Sequence, residues 1–169
     1  LPLKKDVPLF GIVSRLAEQK GFDILAGAIE KICKLNLQLI ILGTGDLKYH
    51  TLLGGIVKKY PKVVSLSLKF DDALAHKIYA GSDIFLMPSK YEPCGLGQLI
   101  SLRYGTIPLV FKTGGLADTV GKDNGFIFDK YTKEDLLKTI QSAVKAYADK
   151  EKWNKLTLKA MRYNFSWEA

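Results

Sequence analysis

The chain has 169 residues, of which 47% are hydrophobic and 25% are charged, a balance that is ordinary for one globular domain. No apolar run approaches the roughly 20 residues that a membrane-spanning helix needs. The N-terminal residues Lys4, Lys5 and Asp6 lead directly into a strand-like run instead of a secretory leader. The net charge of +8 comes mainly from lysines scattered along the chain, which is typical of a solvated surface. We therefore expect neither nucleic acid nor membrane as a partner.

The cysteines and histidines predict neither a disulfide framework nor a metal site. Cys33 and Cys94 are the two cysteines, too few for a disulfide-rich or cysteine-rich zinc fold, which favours a reducing compartment. Cys33 falls on the apolar face of a predicted helix. His50 and His76 lie too far apart for metal-ligand spacing. Because the first residue is not Met, we interpret the chain as a piece of a longer protein.

Short apolar runs alternate with amphipathic stretches along the whole chain. In chain order the pattern predicts a strand at 7–13, a helix at 23–35, a strand at 37–42, a helix from the glycine turn at 43–46 to about residue 60, a strand at 63–68, a short helix starting at Asp71 or Asp72 and ending near Gly81, a strand at 84–87, a helix at 99–104, a strand at 107–111, a short helix through 120, a strand at 125–128, a helix whose capping-box-like start is Thr132 with Asp135, and a last helix at 151–163. Continuous apolar strands are expected where helices cover both faces of a parallel sheet. The predicted fold class is therefore α/β, a Rossmann-like doubly wound parallel sheet.

Ligands of such sheets bind outside the carboxyl ends of the strands. The loops predicted to lie at that edge are those at 15–20, 43–46, 88–97 and 113–115. Familiar nucleotide and acyl-transfer motifs are absent from the sequence. No G-x-G-x-x-G follows the first strand, there is no G-x-x-x-x-G-K-[ST], and there is no G-x-S-x-G elbow, which argues against a dinucleotide, a P-loop and a serine hydrolase.

The loop that follows the fourth predicted strand carries the strongest chemical signal. Pro88 and Pro93 fix φ, whereas Gly95 and Gly97 allow a tight turn or the close approach of a ligand. Glu92 precedes the N-terminus of a helix, whose free N–H groups favour anions. A ligand with hydroxyls and phosphates would suit this loop. The alternative is an ordinary strand-to-helix turn in which glycine and proline only shape the backbone and Glu92 caps the helix.

Three motifs occur in order along the chain. They are Ser14-Arg15-Leu16 with Gln19-Lys20-Gly21, then Glu92-Pro93-Cys94-Gly95-Leu96, then Thr113-Gly114-Gly115-Leu116-Ala117-Asp118-Thr119-Val120. Together they resemble the C-terminal domain of bacterial glycogen synthases and plant starch synthases. The closing residues 164–169 resemble the start of that family's terminal segment. The resemblance covers essentially the whole chain.

The resemblance implies half of a two-domain GT-B glycosyltransferase, with residues 1–169 as its nucleotide-sugar-binding domain and the N-terminal domain absent. The family's reaction transfers glucose from ADP-glucose to the non-reducing end of an α-1,4-glucan with retention. The implied partners are the donor, the glucan acceptor and the missing domain. No cofactor or metal is implied, and the location is the cytoplasm, or the plastid in a plant. Two alternatives remain, a related retaining enzyme that uses UDP-glucose and a non-enzymatic basic binding module.

The resemblance also implies which groups bind the donor's diphosphate. Arg15 and Lys20 match the family's diphosphate-binding pair, and the backbone at Gly95, Leu96 and Gly97 supplies N–H groups to the distal phosphate. Fixed positive charge aimed at a leaving group lowers the barrier to its departure. Many relatives have Thr or Ser where this chain has Gly97, so a hydroxyl contact to phosphate is expected to be lost while the backbone N–H remains.

The remaining positions concern the sugar and the base. Glu92 matches the family's important glutamate and is expected to accept hydrogen bonds from sugar hydroxyls and to orient the donor. Cys94 is expected to lie against the sugar. Phe70 resembles the family's base-stacking aromatic, with an ordinary core or rim aromatic as the alternative. Tyr79 fits helix packing better.

Overall fold

A computed structural model describes residues 1–165 and shows one six-stranded sheet. The strands are β1 (Leu9–Val13), β2 (Gln38–Leu42), β3 (Val64–Ser67), β4 (Ile84–Met87), β5 (Ile107–Phe111) and β6 (Phe126–Phe128). Their order is β3-β2-β1-β4-β5-β6, and every neighbouring pair is parallel. This is the strand order of a Rossmann fold. The prediction of a doubly wound parallel α/β sheet is therefore confirmed.

Seven α-helices connect and cover the strands in the described part of the chain. They are α1 (Phe22–Ile32), α2 (Leu47–Lys59), α3 (Asp72–Gly81), α4 (Gly97–Tyr104), α5 (Gly114–Thr119), α6 (Lys133–Ala148) and α7 (Lys150–Ala160). Helix α1 packs against α2 and α6, and α3 packs against α4. The central strands are buried along most of their length because helices flank the sheet.

The order of the sheet reverses between β1 and β4, and this is where the fold places a ligand cleft. Strand β1 lies between β2, the next strand along the chain, and β4, which follows only after β2 and β3 have been placed on its other side. The loops that leave the carboxyl ends of β1 and β4 are far apart along the chain, but they start side by side because the two strands are neighbours in the sheet. A crevice at such a switch point is the general ligand site of open α/β sheets.

Some element boundaries differ from the prediction. Strand β1 begins at Leu9, not at residue 7. At this start the Asp83 carboxylate accepts a hydrogen bond from the Leu9 N–H at 2.8 Å, and burial raises the pKa of the Asp83 carboxyl group. Helix α1 ends at Ile32, not at residue 35, and α7 spans Lys150–Ala160, not 151–163. Helix α4 begins two residues early, at Gly97, so its first turn lies inside the glycine-containing loop. A 3-10 turn at Glu18–Lys20 was not predicted.

Two further points concern the ends and surfaces of the chain. Residues 166–169, most of the segment compared with the family's terminal segment, lie outside the described residues. Across residues 1–165, none of the helices has the length and apolar character needed to cross a membrane.

The two cysteines are both free. Cys33 is buried and Cys94 is exposed, and burial raises the pKa of the Cys33 thiol to about 11.

Helix α6 begins with half of the predicted capping box. The Thr132 hydroxyl accepts a hydrogen bond from the Asp135 N–H at 3.2 Å. The reciprocal bond is not made to Thr132, because the Asp135 carboxylate accepts instead from the N–H groups of Asp129 and Lys130. Asp135 therefore anchors the loop that leads into the helix while Thr132 caps it.

We expect Thr132→Ala to lower the free energy of unfolding by about 1 kcal/mol, since an N-cap acceptor is lost. Ser142→Ala is the control, because Ser142 lies on the exposed side of the same helix and Ala favours a helical backbone. Denaturant unfolding of both variants makes the comparison. Equal stability of Thr132→Ala and the unsubstituted chain would show that the cap contributes nothing.

Candidate functional site

Two adjoining cavities open at the carboxyl edge of the sheet. The first, with a volume of about 290 Å³, lies between the loops that follow β1 and β4. The second, of about 660 Å³, lies between the loops that follow β1, β2 and β3 and the first turns of α3. Val13, Ser14, Arg15 and Tyr79 line both. The two cavities together can therefore hold one elongated ligand.

The first cavity gathers most of the residues that the motifs singled out. Arg15, Lys20 and Glu92 line it together with the turn at Gly95, Leu96 and Gly97, which leads into α4. Arg15 is exposed and stands where the two cavities meet. The cavity thus presents two cations, one carboxylate and the start of a helix within a single crevice. This combination can bind an anion and a hydroxyl-bearing group side by side.

Lys20 and Glu92 form an ion pair across this cavity. The Lys20 Nζ lies 2.6 Å from the Glu92 Oε2, and the side chains are 24% and 12% exposed. This contact bears on the alternative in which Glu92 caps the following helix. Helix α4 begins after Leu96, and no side chain accepts a hydrogen bond from its first N–H groups. Glu92 is therefore not a helix cap, and its charge is directed to Lys20 instead.

Backbone contacts fix the same two loops to each other. The Lys90 N–H donates a hydrogen bond to the Gln19 carbonyl at 2.9 Å. Next to it, Gly21 has a φ of 82°, and a Cβ on Gly21 would overlap the carbonyl oxygen of Pro88. Position 21 therefore requires glycine both for its backbone angle and for the close approach of the neighbouring loop.

The first turn of α5 supports the other side of the Glu92 loop. The Gly115 N–H donates to the carbonyls of Glu92 and Pro93, at 3.1 Å in each case. Tyr131 contacts both α1 and the loop after β4. Its hydroxyl donates to the Asp23 carboxylate at 2.6 Å, and its ring lies 5.7 Å from the Lys90 Nζ. Burial raises the pKa of the Tyr131 hydroxyl, so this group stays a protonated donor.

Phe70 and His76 line the second cavity, and His50 contacts Gly45 in one of the loops that enclose it. Phe70 stands at its rim with its side chain 91% exposed, so it is a rim residue with no core role. His76 lines the same cavity and shares a 3.0 Å hydrogen bond with the Tyr104 hydroxyl. The His50 Nε2 accepts from the Gly45 N–H at 3.1 Å and so holds the loop after β2. Sequence reasoning considered both histidines only as metal ligands and missed these positions.

The positions of Tyr79, Gly97 and Cys94 are also clear. Tyr79 is buried, and its ring centroid lies 4.6 Å from that of Phe85, as expected for helix packing. A Cβ at Gly97 would lie 3.0 Å from the Phe85 ring, so a larger residue there would need a small shift. The Cys94 side chain is exposed and lies outside the lining of both cavities, whereas its carbonyl points into the loop.

No cluster of three or more histidine, cysteine, aspartate or glutamate side chains suitable for a metal is found within residues 1–165. The charged side chains that line the first cavity are one carboxylate, Glu92, and two cations, Arg15 and Lys20. What this arrangement can do chemically is to bind a multiply charged anion on Arg15, Lys20 and the α4 turn while Glu92 accepts hydrogen bonds from neighbouring hydroxyls.

The strand order and the cleft at the sheet's switch point define the chain as a Rossmann-type α/β domain with its ligand site at the carboxyl edge. The family model for glycosyl transferases group 1 matches residues 1–159, and the chain belongs to that family.

Within this family the chain is similar to bacterial glycogen synthases. It is 54% identical over 171 residues to glycogen synthase from Geotalea uraniireducens and 50% identical over 174 residues to that from Clostridium perfringens, which cover 97% and 99% of this chain. The chain spans only 35% and 36% of the length of these relatives.

Solved structures show the same relationship. The catalytic domain of starch synthase IV from Arabidopsis thaliana, bound to ADP and acarbose, superimposes with a TM-score of 0.89 at 36% identity and covers 98% of this chain and 36% of that one. Sucrose-phosphate synthase from Thermosynechococcus elongatus has a TM-score of 0.78 at 24% identity, covers 98% and 43% of the two chains, and shows the shared fold alone.

We expect Gly21→Ala to destabilise the chain by about 1–3 kcal/mol, because alanine disfavours a positive φ and its methyl group would displace Pro88. Gly55→Ala is the matched control, since Gly55 lies within α2 and a Cβ there meets nothing within 4 Å. That substitution should stabilise the helix by about 0.5–1 kcal/mol. Thermal unfolding of both variants measures the difference, and two equal melting temperatures would contradict the loop contact.

Proposed function

We propose that the chain is the nucleotide-sugar-binding domain of a glycogen or starch synthase, which transfers glucose from ADP-glucose to the non-reducing end of an α-1,4-glucan with retention. The observation that carries the proposal is the convergence of Arg15, Lys20, Glu92 and the α4 turn on one cavity, in a chain about half identical to glycogen synthases along its whole length. The ADP and acarbose bound by the related starch synthase support both the donor and the acceptor class.

The two cavities suggest how the donor lies. The diphosphate occupies the first cavity, between Arg15, Lys20 and the N–H groups of Leu96 and Gly97. The glucose lies beside Glu92, and Cys94 lies two residues further along the same loop with its side chain exposed outside the lining of the cavity. The base extends past Arg15 into the second cavity, where the exposed ring of Phe70 can stack on it.

The chemistry follows from charge. When the bond between the anomeric carbon and the diphosphate breaks, the diphosphate keeps the electron pair, and the hydroxyl of the glucan forms the new bond to that carbon and loses its proton. Negative charge therefore grows on the phosphate oxygens. Arg15, Lys20 and the α4 turn stabilise that charge, which lowers the barrier. With these groups in place the reaction needs no metal or cofactor, and ADP leaves as the product.

The ion pair gives Lys20 and Glu92 linked roles in this pose. Glu92 holds the Lys20 ammonium group at 2.6 Å, within the crevice that the diphosphate enters. Lys20 in turn orients Glu92, so that its second carboxylate oxygen can accept hydrogen bonds from sugar hydroxyls. One contact thus aligns the group that binds phosphate and the group that orients glucose.

The proposal also covers what the chain lacks. The relatives are almost three times as long as the part that this chain matches. In the proposed enzyme the remaining part carries much of the acceptor site, so the isolated chain binds ADP weakly and has little or no synthase activity. The bacterial relatives favour a cytoplasmic location, with the plastid as the corresponding compartment in a plant.

We expect the isolated chain to bind ADP more tightly than AMP, because the distal phosphate contacts Lys20 and the α4 turn. Arg15→Ala should weaken ADP binding by roughly tenfold to a hundredfold, the effect of about 1.5–3 kcal/mol for a hydrogen bond to a charged group. Arg103→Ala is the control, because Arg103 is exposed near the far end of α4. Isothermal calorimetry on the three proteins gives the affinities.

Two results of that titration would contradict the proposal. The first is the absence of ADP binding by the unsubstituted chain at millimolar ligand. The second is an Arg15→Ala variant that binds ADP as well as Arg103→Ala does.

Two further experiments distinguish the alternative functions. Competition of ADP with UDP in the same titration separates an ADP-glucose enzyme from a relative that uses UDP-glucose. Salt-dependent retention of DNA in a gel would instead indicate a basic binding module.

We expect Glu92→Gln to leave the melting temperature nearly unchanged, because Glu92 caps no helix and glutamine can still accept a hydrogen bond from Lys20. ADP affinity should stay constant or rise, since Lys20 no longer faces a full negative charge. Turnover by the full-length enzyme should fall by orders of magnitude, because an amide binds the sugar hydroxyls less strongly than a carboxylate.

Glu30→Gln provides the control for removing one member of an ion pair. Glu30 pairs with Lys59 at 2.8 Å on the surface, and both side chains are 55% exposed. Its loss should affect neither ADP binding nor turnover. Normal turnover in Glu92→Gln, with melting temperature and ADP binding measured on the same preparation, would remove Glu92 from the reaction.

A further inference from the structure

Gln98 is a fully buried polar residue that lies directly behind the first cavity. It is the second residue of α4, and its side chain is 0% exposed. Its amide nitrogen lies 3.1 Å from the Cys94 carbonyl oxygen, 2.9 Å from the Gly95 carbonyl oxygen and 3.2 Å from the Thr119 hydroxyl. The first two partners belong to the loop that presents Glu92, and the third lies in α5.

The chemistry of these partners fixes the orientation of the Gln98 amide. The two backbone carbonyls can only accept hydrogen bonds. The Thr119 hydroxyl donates its own hydrogen to the Gly115 carbonyl at 2.6 Å, so it also accepts from Gln98. The two amide hydrogens are therefore shared among three acceptors. The Gln98 Oε1 has no hydrogen-bond partner in the part of the chain that the structure describes.

A buried and unpaired oxygen destabilises a fold. A methionine of similar shape at position 98 would bring no such cost. The contribution that offsets it comes from the side-chain N–H groups, which donate to the carbonyls of Cys94 and Gly95 and to the Thr119 hydroxyl. The role of Gln98 is therefore to hold its hydrogen-bond partners in place.

What Gln98 holds is the direction of two peptide groups. A trans peptide is planar, so its C=O and N–H point in opposite directions. With the carbonyls of Cys94 and Gly95 held toward Gln98, the N–H groups of Gly95 and Leu96 face away from it, and both residues line the first cavity. The φ angles of Gly95 and Leu96 are 72° and −108°. Successive N–H groups in a left-handed and then a right-handed conformation form a concave anion site.

Gly95 and Gln98 also fit each other sterically. A Cβ on Gly95 would lie 2.5 Å from the Gln98 Oε1. The positive φ at Gly95 and the buried amide behind it are therefore parts of one arrangement. Through Thr119 and Gly115 the same bonds reach the carbonyls of Glu92 and Pro93. One network thus connects the α4 turn, α5 and the backbone of the Glu92 loop.

We propose that Gln98 is a positioning residue that aims the N–H groups of Gly95 and Leu96 at the distal phosphate of a bound nucleoside diphosphate. The inference rests on the proposed function for the identity of the anion. Gln98 does not contact the ligand; it acts through the two peptide groups. Its removal therefore weakens binding of the distal phosphate more than binding of the base or the first phosphate.

The test compares two buried glutamines in the 169-residue chain. Gln38 is 6% exposed, and its amide nitrogen also donates to two backbone carbonyls, those of Pro2 at 2.9 Å and Lys62 at 3.2 Å, but it lies at the start of β2. Gln98→Met and Gln38→Met thus remove similar hydrogen bonds, the first near the carboxyl ends of the strands and the second near their amino ends. Melting temperature and the dissociation constants of ADP and AMP are measured for both.

We expect Gln98→Met to weaken ADP binding about tenfold, as for the loss of one hydrogen bond to a charged group, and AMP binding much less. The ratio of ADP to AMP affinity should therefore fall. Gln38→Met should lower the melting temperature but leave that ratio unchanged. A Gln98→Met variant whose ratio equals that of Gln38→Met would overturn the proposal, because a purely structural role predicts it.

Two additions keep the test decisive. If Gln98→Met does not fold, Thr119→Val removes one acceptor of the network, and an unchanged ADP-to-AMP ratio in that variant overturns the proposal. If the unsubstituted chain binds no ADP, the proposed function fails, and the free chain decides the positioning role by NMR. The amide signals of Gly95 and Leu96 must then shift in Gln98→Met or Thr119→Val but not in Gln38→Met; unshifted signals overturn the role.

Discussion

The ion pair between Lys20 and Glu92 is the contact on which the arrangement of the cleft depends. The two residues are 72 positions apart in sequence and meet because β1 and β4 are neighbours at the reversal of the sheet order. Each is partly buried, so water screens the pair less than it screens the exposed pairs of the surface. The contact ties the loop after one strand to the loop after the other, and the first cavity is the space that these two loops enclose.

Backbone bonds support that ion pair from two other directions. The bond from Lys90 to Gln19 joins the same loops at their outer side, and Gly115 holds the carbonyl of Glu92 from α5. Contacts within the chain itself consequently hold the walls of the first cavity together. In the proposed enzyme, the loops would have little freedom left to lose when the donor binds, which favours affinity. Gln98 extends the same principle to the peptide groups of the α4 turn.

The sequence predicted the fold well because the strands are continuous apolar runs. Strands β4 and β5 match their predicted bounds, since apolar segments bounded by polar or glycine residues leave little ambiguity. The motifs also indicated which loops would meet. The pairing of Lys20 with Glu92 was not predictable, because no periodic pattern relates residues so far apart. Gln98 was missed for a different reason: α4 was predicted to begin at Leu99, and only its actual start at Gly97 places that amide behind the turn.

The exposure of Phe70 gives the two cavities different physical characters. Its ring stands in water at the rim of the second cavity, whereas the first cavity contains the charged side chains of Arg15, Lys20 and Glu92. A flat ligand group that covers the ring removes apolar surface from water, which lowers the heat capacity. Charges bound in the first cavity respond instead to ionic strength. The two halves of one elongated ligand would thus be distinguishable in solution, one by the temperature dependence of its binding enthalpy and the other by salt.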